Sequence, residues 1–135
     1  MKYLLDTSVV IALTRGVGHV KNFVEENMSF GFYISSITIG ELYYGIYKST
    51  NRNKGIFDVQ VFVQTQEVII VDYDISMAET YGILMSRLTG AGLTSPPVDT
   101  MLAVTADSLD VPIVTLDKKH FPRLVDFGIQ VKVLG

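Results

Sequence analysis

The sequence has 135 residues, of which 48% are hydrophobic, and its formal net charge at pH 7 is −3. This length and composition predict one domain, residues 1–135, with a substantial core, and they argue against a disordered chain. The absence of cysteine excludes disulfides and thiolate metal sites, and the acidic balance argues against nucleic-acid binding through bulk positive charge. No apolar run approaches the ~20 residues of a membrane span, so we expect a cytoplasmic protein without a membrane partner.

Along the chain, short runs rich in β-branched and aromatic residues alternate with segments whose apolar residues recur at helical spacing. Strands are predicted at residues 3–5, 33–35, 68–71, 113–115 and 131–133. Helices are predicted near residues 39–47 and 56–63, and through residues 78–88 and 101–109. The polar, basic stretch 50–55 predicts a turn, and the Gly/Ser/Pro-rich stretch 90–97 predicts a loop that leads into the last helix.

This alternation of strands and helices is typical of an α/β protein. We predict a three-layer α/β/α fold with a central, mostly parallel sheet. The continuously apolar segments VIIV (68–71) and PIVT (112–115) fit strands that are covered on both faces. No shift in composition marks a domain boundary.

Four acidic residues lie near predicted strand ends or at the starts of the helices that follow. Asp6 ends the first strand, Glu41 lies in the first turn of the helix after the second, Asp99 opens a helix, and Asp117 follows the apolar IVTL. Because the carboxyl ends of parallel strands share one edge of a sheet, we expect these carboxylates to converge there. Like charges repel unless a cation neutralises them, and carboxylate oxygens suit Mg²⁺ or Mn²⁺. The sequence therefore predicts a Mg²⁺ (or Mn²⁺) site.

Each of these acids also has a purely structural interpretation. Thr38 and Glu41 have the spacing of a capping box, and Asp99 in a first helical turn complements the helix macrodipole. Asp6 and Asp117 have the residue type of an N-cap or a turn former. The two histidines, His19 and His120, are far apart in sequence, and we expect His120 at the surface or outside the ligand shell.

Four sequence motifs occur in a recognisable order: DTSVVIAL at 6–13, GELYYG at 40–45, DTMLAVTA at 99–106 and VTLDKKHF at 114–121. Over residues 1–124 the chain resembles the PIN-domain family, in particular the VapC-type toxin ribonucleases of prokaryotic toxin–antitoxin pairs. The Ala-Ala pair usual in the family is Ala103-Val104 here. The resemblance implies that four acids are catalytic and hold the metal, namely Asp6, Glu41, Asp99 and Asp117. It implies supporting hydroxyls at Ser8 and Thr115, and it places an aromatic at Phe121, where core packing is the simpler interpretation.

The function that this resemblance implies is a metal-dependent endoribonuclease that hydrolyses RNA phosphodiester bonds as the toxin of a toxin–antitoxin pair. A bound divalent ion polarises the scissile phosphate and activates a water. The resemblance also implies a homodimer through the helix carrying Tyr43, Tyr44 and Tyr47, and a small antitoxin protein as partner. Arg15 and Lys118 are the candidate contacts to the RNA substrate.

Other functions remain compatible with the sequence. The chain fits a solitary RNA-processing PIN nuclease or a catalytically inactive PIN-like binding module. A phospho-receiver module also gathers acids at the carboxyl edge of a parallel sheet, with Asp72 or Asp74 as the acceptor. Such a module needs a pair of acids early in the chain, and none accompanies Asp6. A small antitoxin-like gene beside this one would favour the toxin interpretation.

Overall fold

The computed structural model describes residues 1–135 and contains one five-stranded sheet. Every pair of neighbouring strands is parallel, and the strand order is β3-β2-β1-β4-β5. The predicted parallel sheet is confirmed, and the strand bounds differ from the prediction only at residue 32. The strands are β1 (Tyr3–Leu5), β2 (Phe32–Ser35), β3 (Val68–Val71), β4 (Ile113–Thr115) and β5 (Val131–Val133).

Helices cover both faces of this sheet. Leu4 and Leu5 of β1 lie in different hydrophobic clusters, because successive side chains of a strand point to opposite faces. The predicted three-layer α/β/α arrangement is therefore confirmed. The six α-helices are α1 (Thr7–Thr14), α2 (Gly18–Asn27), α3 (Ser36–Lys48), α4 (Arg52–Gln64), α5 (Ile75–Gly90) and α6 (Pro97–Ser108). Two 3₁₀ segments complete the fold, Met28–Phe30 and Phe121–Phe127.

The two sides of the sheet are built from different helices. The cluster that contains Leu4 includes Leu84 of α5 and Leu102 of α6. The cluster that contains Leu5 includes Val9 of α1 and Val20 of α2. Burying an aliphatic side chain of this size stabilises a fold by about 2 kcal/mol, so each face of β1 anchors a separate half of the core.

Several predicted boundaries are wrong for identifiable reasons. The turn predicted at residues 50–55 is shorter, because α4 already begins at Arg52 and the polar residues there form its exposed first turn. Helix α3 begins earlier than residue 39, because the Ser35 side chain accepts a hydrogen bond from the backbone N–H of Ile37 and caps it. Helices α1 and α2 were not predicted. The segment VIIV is only half-buried, because β3 is an edge strand.

The central three strands bring the motifs together. β1 lies between β2 and β4, and the three run in the same direction. Their carboxyl ends lead directly to Asp6, to the start of α3, and to Asp117. None of the helices combines the length and the apolar character needed to span a bilayer.

Candidate active site

Asp6 is buried, with 5% of its surface exposed, at the junction of β1 and α1. Its Oδ1 accepts a hydrogen bond of 2.8 Å from the backbone N–H of Thr7, so Asp6 is the N-cap of α1. Its Oδ2 accepts hydrogen bonds from the hydroxyls of Ser8 at 2.7 Å and Thr115 at 2.9 Å. Three donors therefore satisfy a buried carboxylate that would otherwise be costly, and they hold it in one orientation.

The two hydroxyls on Asp6 also join distant parts of the chain. The Thr115 hydroxyl accepts a hydrogen bond of 3.0 Å from the backbone N–H of Asp117. The Ser8 hydroxyl accepts one of 3.3 Å from the backbone N–H of Leu116. The predicted supporting residues thus lie beside Asp6, and they tie the start of α1 to the loop that follows β4.

Glu41 lies in the second turn of α3, so its predicted place in the first turn and the capping-box interpretation are both wrong. The Thr7 hydroxyl donates a hydrogen bond to Glu41 Oε1. Since this uses the only hydroxyl proton of Thr7, the contact of 3.0 Å between the Thr7 and Thr38 hydroxyls has Thr38 as its donor. Thr38 is fully buried. Sequence reasoning missed Thr7 and Thr38 as positioning residues, because the Thr38–Glu41 spacing was assigned to a cap.

Asp117 organises the turn after β4. Its Oδ1 accepts a hydrogen bond from the backbone N–H of Lys119 at 2.9 Å, and its Oδ2 accepts those of His120 at 3.0 Å and Phe121 at 3.4 Å. Partial burial acts to raise the pKa of Asp117, but these hydrogen bonds and the charge of His120 outweigh it and hold the pKa below its usual range. Phe121 itself is fully buried in the core, as expected from packing alone.

Asp99 lies in the first turn of α6, and one of its oxygens is within 4.8 Å of a carboxylate oxygen of Asp117. Burial raises the pKa of Asp99 to about 6, and the negative charges of Asp6 and Asp117 act in the same direction. Glu41 adds a smaller effect of the same sign, whereas His120 opposes it. The pKa of Asp99 therefore reports that the four predicted carboxylates share one electrostatic environment.

His120 lies inside this group of acids. Its Nδ1 is 3.2 Å from Asp117 Oδ2 and 3.9 Å from Asp99 Oδ2. One ligand-type atom from each of Asp99, Asp117 and His120 lies within 4.8 Å of the other two. Asp6 and Glu41 are not members of this tightest group and are linked to it through Thr115 and Thr7. In the sequence, His120 is three residues after Asp117. A tight turn brings residues at this spacing together, so the spacing itself could have indicated that His120 lies beside Asp117.

The charges at this site fit a divalent cation. Only two Lys–carboxylate pairs form salt bridges, Lys21 with Glu25 and Lys54 with Asp58, and both lie on helix surfaces. No arginine or lysine therefore neutralises the carboxylates at the sheet edge. Carboxylate oxygens are hard ligands that suit Mg²⁺ or Mn²⁺, so Asp6, Glu41, Asp99 and Asp117 form a suitable donor set.

The two predicted substrate contacts are both exposed. Arg15 is the C-cap of α1, the helix whose N-cap is Asp6. Lys118 is exposed, and its side chain lies against Gly135, where an added Cβ would be 3.4 Å from Nζ.

Comparison with known proteins connects this site to a family. The PIN-domain family model matches residues 3–126. The chain is 31% identical to the tRNA(fMet)-specific endonuclease VapC of Salmonella typhimurium over 131 residues, which cover 96% of this chain and 97% of that protein. Among solved structures, it superposes on a chain of the DNA-bound VapBC2 complex from Rickettsia felis with a TM-score of 0.87, at 26% identity and full coverage of both chains. The DNA-bound VapBC complex from Salmonella typhimurium gives a TM-score of 0.85, with 29% identity and 98% of each chain covered.

The raised pKa of Asp99 leads to a prediction about the metal-free protein. A folded-state pKa near 6 means that the folded protein holds this proton more tightly than the unfolded chain, so wild-type stability falls as pH rises from about 4 to about 6. Asp99→Asn removes this loss. At about pH 7.5 in EDTA, the variant should unfold with a free energy about 1 kcal/mol higher than wild type, the full shift being reduced because the side chain is 27% exposed.

Urea denaturation of both proteins at about pH 4.5 and about pH 7.5 measures this difference, which should vanish at the lower pH because wild-type Asp99 is then protonated. Glu25→Gln, in the surface pair with Lys21, is the control and should show no such pH-dependent gain. An Asp99→Asn protein that is less stable than wild type at both pH values would contradict the shared environment of the acids.

Proposed function

The chain belongs to the PIN-domain family, and from this membership we propose that it is a metal-dependent endoribonuclease that hydrolyses RNA phosphodiester bonds. The observation that carries the proposal is the convergence of Asp6, Glu41, Asp99 and Asp117 at the carboxyl edge of the sheet with no lysine or arginine to neutralise them. The relative from Salmonella typhimurium is itself named an endonuclease, and it aligns with almost the whole of this chain.

The four carboxylates are the groups that would hold Mg²⁺ or Mn²⁺. Such an ion supplies Lewis acidity toward the scissile phosphate and lowers the pKa of a bound water. The protein's own contribution is to present the carboxylates in fixed orientations. Ser8 and Thr115 orient Asp6, and Thr7 orients Glu41. Because these hydroxyls are themselves hydrogen-bonded to the rest of the fold, little reorganisation is needed when the site is loaded.

The substrate class follows from the charge of the site. The acidic site repels the phosphates of a nucleic acid unless a bound cation lies between the carboxylates and the phosphate. We therefore expect the site to favour an RNA strand whose phosphate backbone can come close to that cation. We propose single-stranded or loop RNA, because its unpaired nucleotides can be splayed into a cleft. Arg15 and Lys118 are exposed, and we propose that they contact phosphates of the bound RNA.

Restraint by a partner protein is the second part of the proposal. Structures similar to this one come from VapBC complexes, and the complex from Rickettsia felis was solved on a DNA fragment from its promoter. We propose that this chain is the toxin of a toxin–antitoxin pair and that a small antitoxin protein covers its acidic site. A basic side chain of such a partner is favoured there and competes with metal and RNA.

We also propose that the chain forms a homodimer through α3. Tyr44 is 66% exposed and Tyr47 is 53% exposed, so this helix presents two aromatic rings to solvent. Lys48 Nζ lies 4.9 Å from the ring centre of Tyr44, and the Arg52 guanidinium lies 5.6 Å from that of Tyr47. Exposed aromatic surface with adjacent cations is typical of protein interfaces.

The nuclease activity is tested by RNA cleavage with a matched pair of variants. Wild-type protein should cleave structured RNA with unpaired loops when Mg²⁺ or Mn²⁺ is present and not in EDTA. Glu41→Gln keeps an acceptor for the Thr7 hydroxyl but removes the charge, so it should lower the rate by at least about 100-fold. Glu25→Gln changes a surface acid and should cleave as wild type does. Cleavage that continues unchanged in EDTA, or in Glu41→Gln, refutes the metal mechanism.

The toxin assignment is tested by growth after induction of the chain in a bacterial host. Wild type should arrest growth and Glu41→Gln should not, because only the wild type retains the charged site. Co-expression of a small protein encoded beside this gene should restore growth. Normal growth with soluble, folded wild-type protein would instead favour the solitary RNA-processing enzyme.

The homodimer is tested by light scattering at micromolar concentration. The expected molar mass is twice the 15.0 kDa of the single chain. Tyr44→Asp should return the mass to that of one chain, since a charge at the centre of the proposed interface would lose its water on association. Phe30→Asp is the matched control, because Phe30 is 50% exposed and lies before the first residue of β2, whereas α3 begins after its last residue. A single-chain mass for wild type contradicts the proposal.

A further inference from the structure

We propose that His120 contributes an imidazole nitrogen to the metal site and that this nitrogen makes the site prefer Mn²⁺ over Mg²⁺. The inference rests on the proposed metal-dependent function and adds to it a residue outside the four acids. It concerns the nitrogen of His120 that faces Asp99 and Asp117.

The orientation of His120 is determined by the turn on which it lies. Its backbone N–H donates to Asp117 Oδ2 at 3.0 Å, and its ring nitrogen Nδ1 lies 3.2 Å from the same oxygen. Asp117 thus holds the backbone of His120, and a metal bound at Nδ1 would replace the ring contact with Asp117, with the ring proton then on Nε2. Because Phe121, the next residue, is fully buried, the turn is anchored to the core as well. The backbone that carries the imidazole is therefore fixed beside the acids, and the His120 side chain is 35% exposed.

The distances between the ligand atoms suit one shared ion. Ligands about 2.1 Å from an octahedral metal lie about 3.0 Å apart when adjacent and about 4.2 Å apart when opposite. His120 Nδ1 is 3.2 Å from Asp117 Oδ2 and 3.9 Å from Asp99 Oδ2, which is within this span. The nitrogen thus lies within ligand-to-ligand distance of one oxygen of Asp117 and one of Asp99.

The chemistry of imidazole determines for which metal the binding affinity of the site rises most. Mg²⁺ is a hard ion that prefers oxygen ligands and gives up its waters reluctantly, whereas first-row transition ions bind nitrogen more readily. A site of carboxylates alone has little basis for choosing Mn²⁺ over Mg²⁺. One nitrogen among the oxygens therefore raises the affinity for Mn²⁺ while leaving that for Mg²⁺ nearly unchanged.

The decisive experiment detects the nitrogen on the bound metal itself. The chain has two histidines, and His19 is exposed on α2, outside the acidic group. His19→Asn therefore leaves His120 as the only histidine. With this variant labelled with ¹⁵N-histidine and loaded with Mn²⁺ alone, pulsed electron paramagnetic resonance should show a ¹⁵N coupling on the metal. The unlabelled protein should show the ¹⁴N coupling in its place.

Calorimetric titration with Mn²⁺ and with Mg²⁺ measures the preference. His120→Asn retains an amide donor for Asp117 but has no imidazole, so it should weaken Mn²⁺ binding about tenfold and change Mg²⁺ binding less than about threefold. His19→Asn should bind both ions as wild type does. Equal weakening for both metals in His120→Asn overturns the preference.

Two outcomes separate failure of this inference from failure of the proposed function. If Mn²⁺ binds and supports RNA cleavage but no histidine nitrogen couples to it, His120 only orients Asp117 and the inference is wrong. If wild type binds neither ion, both the inference and the metal-dependent function are overturned. The coupling measurement needs no change at His120, so it remains decisive even if His120→Asn fails to fold.

Discussion

Repulsion among carboxylates at one edge of a parallel sheet is the constraint on which the site depends. Parallel strands place every carboxyl end on the same side, and three neighbouring strands here lead to acids or to a helix that carries one. Burial, together with the negative charges of Asp6 and Asp117, raises the pKa of Asp99. In a fold that concentrates negative charge in this way, a bound cation would relieve the repulsion and stabilise the folded state.

The fold tolerates this charge because hydroxyl groups surround it. Asp6 and Glu41 are held by Thr7, Ser8 and Thr115, and none of these donors carries a charge. Neutral donors satisfy the oxygens without cancelling their charge, whereas a lysine or arginine would occupy the place of the metal. No buried side-chain nitrogen or oxygen lacks a hydrogen-bond partner, so the crowding is one of charge and not of unmet hydrogen bonds.

Two of the acids, Asp6 and Asp117, each stabilise local structure and also belong to the candidate site. Asp6 caps α1, and Asp117 accepts the backbone hydrogen bonds of the turn that leads to Phe121. The structural and functional interpretations of these residues are therefore not exclusive. A capping carboxylate uses only some of its lone pairs, and a cap located at the carboxyl edge of a parallel sheet is already directed toward the site. For Glu41 the capping interpretation fails, because Ser35 caps α3.

The sequence by itself determined the alternation of strands and helices, the parallel sheet and the acids that follow β1 and β4, because periodicity and strand-end position are local properties. It did not reveal helices α1 and α2 or the half-buried state of β3. Only the tertiary structure brought Thr7 and Thr38 to Glu41, and His120 to Asp99. The contact between Thr7 and Glu41 and that between His120 and Asp99 join residues that are distant in the sequence. Their geometry depends on how strands and helices pack, which no local pattern encodes.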